Sequence, residues 1–377
     1  MSAYFDNAAT TPMRPEAVAA MLPFLGVRFG NPSGSHALAR DARRALDEAR
    51  EVVAAGLGAE PGEVVFTGGG TEADNLAIAG VHHVRSGAVV CSAVEHHAVL
   101  HACAALGGRS APVSADGVVD LDRLAEMLDS EVTVVSVMLA NNEVGAVQPL
   151  GEVAEMVRRL APGAVLHTDA VAAFAWIDVA ALGRVADLVA VSAHKFGGPK
   201  GVGALVVRRP VTVAALLHGG GQERDRRSGT HNVAGIVAMA AAMQATVAER
   251  AEVAVRVGAL RDRLADGIVA AVPGALETGR RPGKVAGNCH VSFEGVESEA
   301  LLMLLDGDGV YASAGSACAS GAVEPSHVLA AMGVSRERAL GSLRLSLGRD
   351  TTDADVDRAL DTIPRAVARL RSAGVGP

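Results

Sequence analysis

The sequence predicts an α/β protein: a mainly parallel sheet in a large domain, followed by a smaller α+β domain. Three observations carry that expectation. Short apolar, β-branched runs alternate with helical stretches from about Arg14 to Val207, the rhythm changes beyond Asn232, and 377 residues are more than one compact core usually holds. The predicted strands are Glu63–Phe66, Ala88–Ser92, Thr133–Leu139, Ala164–Thr168, Asp187–Ser192 and Ala204–Val207, separated by helices such as His36–Gly56, Glu72–Val84, Leu121–Leu128 and Leu150–Leu160. Continuous apolar runs divided by helices mark strands buried on both faces, hence a largely parallel sheet. Ligands of such sheets sit at the carboxyl ends of the strands, so functional residues are expected just after them. Beyond Asn232, some forty residues to Val272 read as one long or broken helix. Pro273, Gly279, Pro282 and Gly283 then interrupt the chain before a strand at Cys289–Phe293, a helix from Glu297 and a last helix ending near Gly374. The expected division is a large domain over 14–250 and a small domain formed by 1–13 with 251–377.

Composition removes several function classes. Half the residues are apolar and a fifth charged, which excludes wholesale disorder. One Trp, two Tyr and seven Phe argue against base-stacking platforms, and a net charge of −8 withholds the global attraction that nucleic acid or an anionic membrane needs. The N-terminus MSAYFDNAATTP has neither the basic nor the apolar region of a secretory signal. The stretch from Val233 to Met243 is far short of the roughly 20 apolar residues of a membrane helix. Cys91, Cys103, Cys289 and Cys318 form no CxxC pair, which points to free thiols in a reducing compartment and a cytoplasmic location. Lysine is scarce: only Lys195, Lys200 and Lys284 offer a primary amine on a side chain, and two of them share one Gly-rich segment.

Three segments carry chemistry. In Phe66-Thr67-Gly68-Gly69-Gly70-Thr71 a strand ends, three glycines follow, and Thr71 opens a helix. Glycines let backbone approach an anion, and a helix N-terminus supplies unpaired N–H groups and partial positive charge. This is a phosphate seat, or else an ordinary tight turn; it is neither a GxGxxG fingerprint nor a P-loop. In Leu166-His167-Thr168-Asp169-Ala170 an Asp ends an apolar strand, where a carboxylate needs a cationic partner such as a protonated pyridine nitrogen, or serves as a helix cap. In Asp187–Gly201 a strand leads through Ser192, His194 and Lys195 into a Gly-rich turn. A lysine at a half-buried strand end has its ammonium form disfavoured, as Schiff-base chemistry requires, whereas Lys200, deeper in the turn, is expected to face solvent. A phosphate seat, a carboxylate for a pyridinium and a lysine for an aldehyde together form the inventory for pyridoxal 5'-phosphate.

With these blocks in view, the sequence resembles the cysteine desulfurases of the NifS/IscS type, within the class V aminotransferase family. The resemblance runs through Asp6–Pro12, Gly30–Ser33, Thr71–Asn75, Glu95-His96, Asn141–Gly145, His194-Lys195, Arg227–Thr230, Gly315–Cys318 and Arg344–Arg349 in order along nearly the whole chain. It implies the type I fold of pyridoxal-phosphate-dependent transferases. It also implies that Lys195 holds the cofactor aldehyde and Asp169 its ring nitrogen. Gly70, Thr71, Ser192 and His194 would bind the phosphate, with Thr230 supplied by the other subunit of a homodimer. His96 would stack on the ring and act in catalysis, and Asn142 would lie near the phenolic oxygen. Arg344, a planar two-pronged donor, would grip the carboxylate of L-cysteine, with Asn31 and the Asp6–Thr11 segment on the substrate side. Cys318 would attack the substrate sulfur, giving alanine and an enzyme persulfide for a sulfur-acceptor protein, whether an iron–sulfur scaffold or a tRNA-thiolation enzyme. No membrane or direct nucleic-acid partner is implied.

Other residues bound that expectation. His97 and His101 have helical i, i+4 spacing and His82-His83 lie upstream, but no third ligand of suitable spacing accompanies them, so no metal is expected. Cys318 lies among small residues with nothing to pack a core, ahead of Glu324-Pro325-Ser326-His327, as in the mobile-loop branch of the family; Cys91, Cys103 and Cys289 read as structural. Ala172 stands where the family usually has a Gln that helps hold the phenolic oxygen, and Gly70 and Asp225 also differ from the commonest residues of their motifs. Rival readings are a selenocysteine lyase or another C–S lyase on the same scaffold, and a non-catalytic partner in a sulfur-transfer complex.

Overall fold

The structure is a computed structural model of the chain and describes residues 2–314 and 325–374. Seven strands make the main sheet: β1 (Val64–Thr67), β2 (Ala88–Ser92), β3 (Arg109–Ala111), β4 (Val132–Ser136), β5 (Val165–Asp169), β6 (Leu188–Ser192) and β7 (Gly203–Val207). Their order across the sheet is β1-β7-β6-β5-β4-β2-β3, with parallel pairing from β6 to β3. β7 alone runs against both its neighbours. The cause is chain length: only residues 193–202 separate β6 from β7, too few for the crossover that a parallel neighbour requires. The strand predicted at Thr133–Leu139 stops early, at Ser136. Val137 and Leu139 still donate N–H groups to the carbonyls of His167 and Asp169, so the chain tracks β5 and delivers Asn141 and Asn142 beyond its end.

The 39-residue helix Val233–Ala271 is continuous, capped by the Asn232 side chain, which accepts the Gly235 N–H at 2.9 Å. Its first half packs Ile236, Met239 and Met243 into the core around the large sheet. Its second half packs Val257, Leu264 and Ile268 into a separate core. That second core also holds Ala3 and Phe5, the antiparallel strands Asn288–Ser292 and Ser342–Ser346, and the helices Ser298–Gly307 and Asp353–Ala373. The N-terminal strand Ala3–Tyr4 pairs with Val310–Tyr311, and Asp6 forms a bridge with Ser346. The first residues of the chain therefore run from the small core across to the large sheet. Thr11 fixes them there: its N–H and hydroxyl both donate to the carbonyl of His194, at 3.0 and 2.8 Å. No described helix is long and apolar enough to cross a membrane.

The segment before Thr230 is unusual. Glu223, Arg224 and Asp225 are consecutive non-glycine residues with φ of 51°, 57° and 63°, a left-handed conformation costing about 1–2 kcal/mol per residue. The Glu223 carboxylate offsets that cost. It accepts from Arg50 at 2.6 and 2.9 Å, from His231 at 2.7 Å and from the Phe66 N–H at 3.0 Å. Hydrogen bonds to a charged group contribute about 1.5–3 kcal/mol each, so four of them outweigh the strain. Asp225 is one of the few side chains that tolerates its φ, which explains how it replaces the commoner residue of its motif. Asp225→Val is accordingly expected to destabilise the protein by about 1–2 kcal/mol, while Asp225→Gly stays within about half of that. Thermal unfolding of the two variants checks this, and equal melting temperatures would refute the strain argument.

Candidate active site

The carboxyl ends of β1, β2, β4, β5 and β6 open on one edge of the sheet, and a cleft of about 430 Å³ lies there. It brings together Gly70, Thr71, His96, Asn142, Asp169, Ser192, His194, Lys195 and Arg344. These residues come from five strand ends and from a strand of the second core, and the sequence separates the first and last of them by 274 positions.

At one end, β1 runs into Gly69 and Gly70, the second of which starts the helix Gly70–Val84. Gly69 has φ of 144°, a conformation that side chains rarely adopt. A Cβ on Gly70 would lie 2.8 Å from Val171 Cγ2, so the neighbouring β5 loop demands glycine at this point. Ser192, buried at the end of β6, sits beside both glycines, with its Cβ 3.5 Å from where a Gly70 Cβ would stand. His194 points into the same cleft and holds Thr10 Oγ1 through Nδ1 at 3.2 Å; burial, with Lys195 and Lys200 nearby, lowers its imidazole to about 4, so it is neutral.

Asp169 ends β5 and is 4% exposed. Burial raises its carboxyl to about 6, against the Val171 N–H, which donates to Oδ1 at 2.8 Å, and the Lys195 ammonium. Among the described residues Asp169 has no ion-pair partner within 4 Å. Lys195 lies in the turn Ala193–Lys195 after β6, its Nζ donating to the carbonyls of Ala8 and, at 3.0 Å, Ala9. Burial, reinforced by Arg344 and opposed by Asp169 and Asp6, lowers the amine to about 8. Gly197, at φ of 86°, turns the chain immediately afterwards; a Cβ there would strike Arg14, whose Nε donates to the Phe196 carbonyl at 3.1 Å. Lys200 is exposed.

His96 caps the helix His97–Ala105, its Nδ1 accepting the Ala98 N–H at 3.1 Å. That leaves Nε2 to carry the ring proton. Burial, then Lys195 and neighbouring imidazoles, lowers His96 to about 4. His97 and His101 stack with ring centroids 5.1 Å apart on the exposed side of that helix, and His97 lies 4.6 Å from His327. Arg344, on the strand Ser342–Ser346, is 7% exposed and crosses to Asp6 at 3.0 Å, with a longer contact to the Asn142 carbonyl at 3.5 Å. An anion gripped by Arg344 thus competes with Asp6.

Asn31 and Thr230 are exposed and are not among the residues lining this cleft. The Asn31 side chain instead accepts the Ser33 N–H at 3.0 Å in its own loop. Cys318 lies outside the described residues; Cys91, Cys103 and Cys289 are free and buried. Sequence reasoning missed several lining residues. Asp74, 1% exposed, faces the cleft with Oδ1 3.5 Å from His167 Nε2, and its carboxyl is raised well above the usual range by burial and by Asp169 and Glu95. Its place three residues after Thr71, on the same helix face, was the available signal. Glu143 is raised to about 7 by burial, against a hydrogen bond from the Ser326 hydroxyl, and His327 donates to the Glu95 carbonyl at 2.9 Å.

The donor set fits pyridoxal phosphate. A glycine cradle with a hydroxyl and a helix N-terminus faces one end, a buried carboxylate without an ion-pair partner faces the middle, and a lysine with a depressed amine lies within the same cleft. Ala172 lines both this cleft and a second, narrower cavity behind Lys195 that also contains Trp176 and Arg250.

Comparison with known proteins bears on the family and the fold. The family model described as aminotransferase class-V matches residues 3–359. An IscS-like cysteine desulfurase of Mycobacterium tuberculosis (strain ATCC 25618 / H37Rv) is 47% identical over 390 residues, covering 99% of this chain and 98% of that protein. Among solved structures, a NifS-like protein superposes with a TM-score of 0.92 at 36% identity, covering 98% of this chain and all of that one. A structure described as SspA in complex with cysteine gives a TM-score of 0.80 at 30% identity, covering 93% of this chain and all of that one. A family model spanning most of the chain and a relative 47% identical over almost its whole length place it plainly: the chain belongs to the class-V aminotransferase family.

Proposed function

We propose that the protein is a pyridoxal-phosphate-dependent cysteine desulfurase that converts L-cysteine to L-alanine and passes the sulfur through Cys318 to an acceptor protein. The observation that carries this reading is the Lys195 amine, lowered to about 8 in the same cleft as Asp169. It is supported by a relative named as a cysteine desulfurase and by a solved structure of the same fold holding cysteine. Bound in the cleft, the cofactor supplies an electron sink for the substrate's α-carbon. Lys195 holds its aldehyde, and an amine that is substantially neutral near pH 8 serves afterwards as a proton carrier. Asp169 balances the ring nitrogen's proton; that cation in turn favours the ionised carboxylate that burial alone disfavours. Gly70, Thr71, Ser192 and His194 bind the phosphate. His96 covers the ring with Nε2 available to move a proton, because Nδ1 is committed to the helix cap. Arg344 exchanges Asp6 for the substrate carboxylate, and Asn142 lies near the phenolic oxygen.

The working form is a homodimer in which Thr230 reaches the partner's phosphate. Thr230 is exposed here, and Leu22, Leu25, Val27 and Phe29 present a run of apolar side chains 60–79% exposed, which a second copy of the chain would cover. Free buried thiols suit a reducing cytoplasm. The acceptor is a protein of iron–sulfur assembly or of tRNA thiolation.

Purified Cys318→Ala protein is expected to keep the cofactor's yellow colour yet to lose both persulfide and cysteine-dependent alanine release. Quantifying alanine and sulfide checks this, and full turnover by the variant would reassign the protein to direct lyase chemistry. A second expectation concerns Ala172. Ala172→Gln restores a donor beside the cofactor's phenolic oxygen, stabilising its negative charge most in the deprotonated form. The pH midpoint of the visible absorbance should therefore fall by about half a unit or more. An unchanged titration would show that Asn142 or water already supplies that donor.

A further inference from the structure

Residues 221–231 form an arm clipped twice to the strand and turn that lead into the phosphate seat. The first clip is Glu223, which accepts from Arg50, from His231 and from the N–H of Phe66, next to last in β1. Burial opposes its charge, but His231, Arg50 and the Phe66 N–H together hold its carboxyl at about 2. The second clip is Arg227, which donates to both oxygens of Glu72 at 2.8 and 3.2 Å, while Glu72 also accepts the Gly68 N–H at 2.8 Å. Thr230 lies between the clipped residues Arg227 and His231 and is itself exposed. The three left-handed residues are what allow Glu223 to turn inward while the chain continues outward to Thr230. A strained turn persists only where its surroundings over-determine it, and here every described partner of Glu223 belongs to β1, the helix Ala37–Gly56 or the arm.

We infer that Glu223 is a positioning residue that acts in trans: it sets the arm so that Thr230 meets the phosphate held by the other subunit. The inference rests on the dimer proposed above. The clips index the arm to its own phosphate turn, so one seat serves as the template for the other. An ionised carboxylate is required, since Gln has a single acceptor oxygen and cannot serve Arg50, Phe66 and His231 together.

Mixed dimers test this. Each contains one Lys195→Ala subunit, so the Lys195-dependent visible band reports only the other subunit. With Glu223→Gln placed on the Lys195→Ala subunit, loss of cofactor from the reporting subunit after dilution should be about tenfold faster than with Glu223 intact, as expected for a lost charge-assisted hydrogen bond. With Glu223→Gln on the reporting subunit itself, the rate should change by less than about twofold. His231→Leu, a milder lesion that leaves Glu223 its other donors, should give the same pattern at about threefold. Equal acceleration in both placements, acceleration only on the altered subunit, or none at all would overturn the assignment. Thr230→Ala in the same format separates the two ideas. If it too has no trans effect, or if the wild type sediments as a monomer, the dimer reading itself fails; if Thr230→Ala acts in trans and Glu223→Gln does not, only the role of Glu223 is lost.

Discussion

The site depends on keeping one amine out of water at a strand end. Lys195 follows β6 by three residues, and the first segment of the chain covers it: the Ala8 and Ala9 carbonyls accept hydrogen bonds from Nζ while Thr11 pins that segment to the His194 carbonyl. Desolvation, reinforced by Arg344, disfavours the ammonium by more than Asp169 and Asp6 favour it, and the amine moves from the ordinary lysine range to about 8. Gly197 and Arg14 then fix the turn below it. A lysine on an open loop would have none of these constraints and would stay charged.

The same segment ties the two cores together. Asp6 pairs with Arg344 on a strand of the second core, and Ala8 and Ala9 contact Lys195 beside the large sheet. Direct contacts join the two parts as well: the Asn288 side chain donates to the Glu143 carbonyl at 2.8 Å, and Trp176 packs against both cores. The two clips of the 221–231 arm repeat the principle at the glycine turn: Glu72 and Glu223 hold distant chain against β1 and the turn that follows it.

Much of this was legible in the sequence, for local reasons. A continuous apolar run ending in Gly, Asp or His-Lys marks both a strand and the turn after it, so the residue pattern alone puts Gly70, Thr71, Asp169, Ser192 and Lys195 at strand ends. The reversed direction of Gly203–Val207 was not legible, because an apolar run carries no direction; the short link from β6 decides it. Asp74 and Glu143 were missed because a buried carboxyl looks like any surface acid in a periodic pattern. The strand Ser342–Ser346 alternates Ser, Leu, Arg, Leu and Ser yet is buried throughout, and of its polar residues Arg344 lines the cleft. The Arg344–Asp6 pair joins residues 338 positions apart, beyond any local signal. Asn31 and Thr230 were expected by resemblance alone, and within one chain they lie away from the cleft.

One chemical experiment bears most directly on Lys195. Borohydride reduction of the holoprotein, followed by proteolysis and mass spectrometry, should fix the cofactor's mass on the peptide containing Lys195 and leave Lys200 and Lys284 unmodified. Cofactor mass on either of those two lysines, or on no peptide, would contradict the account.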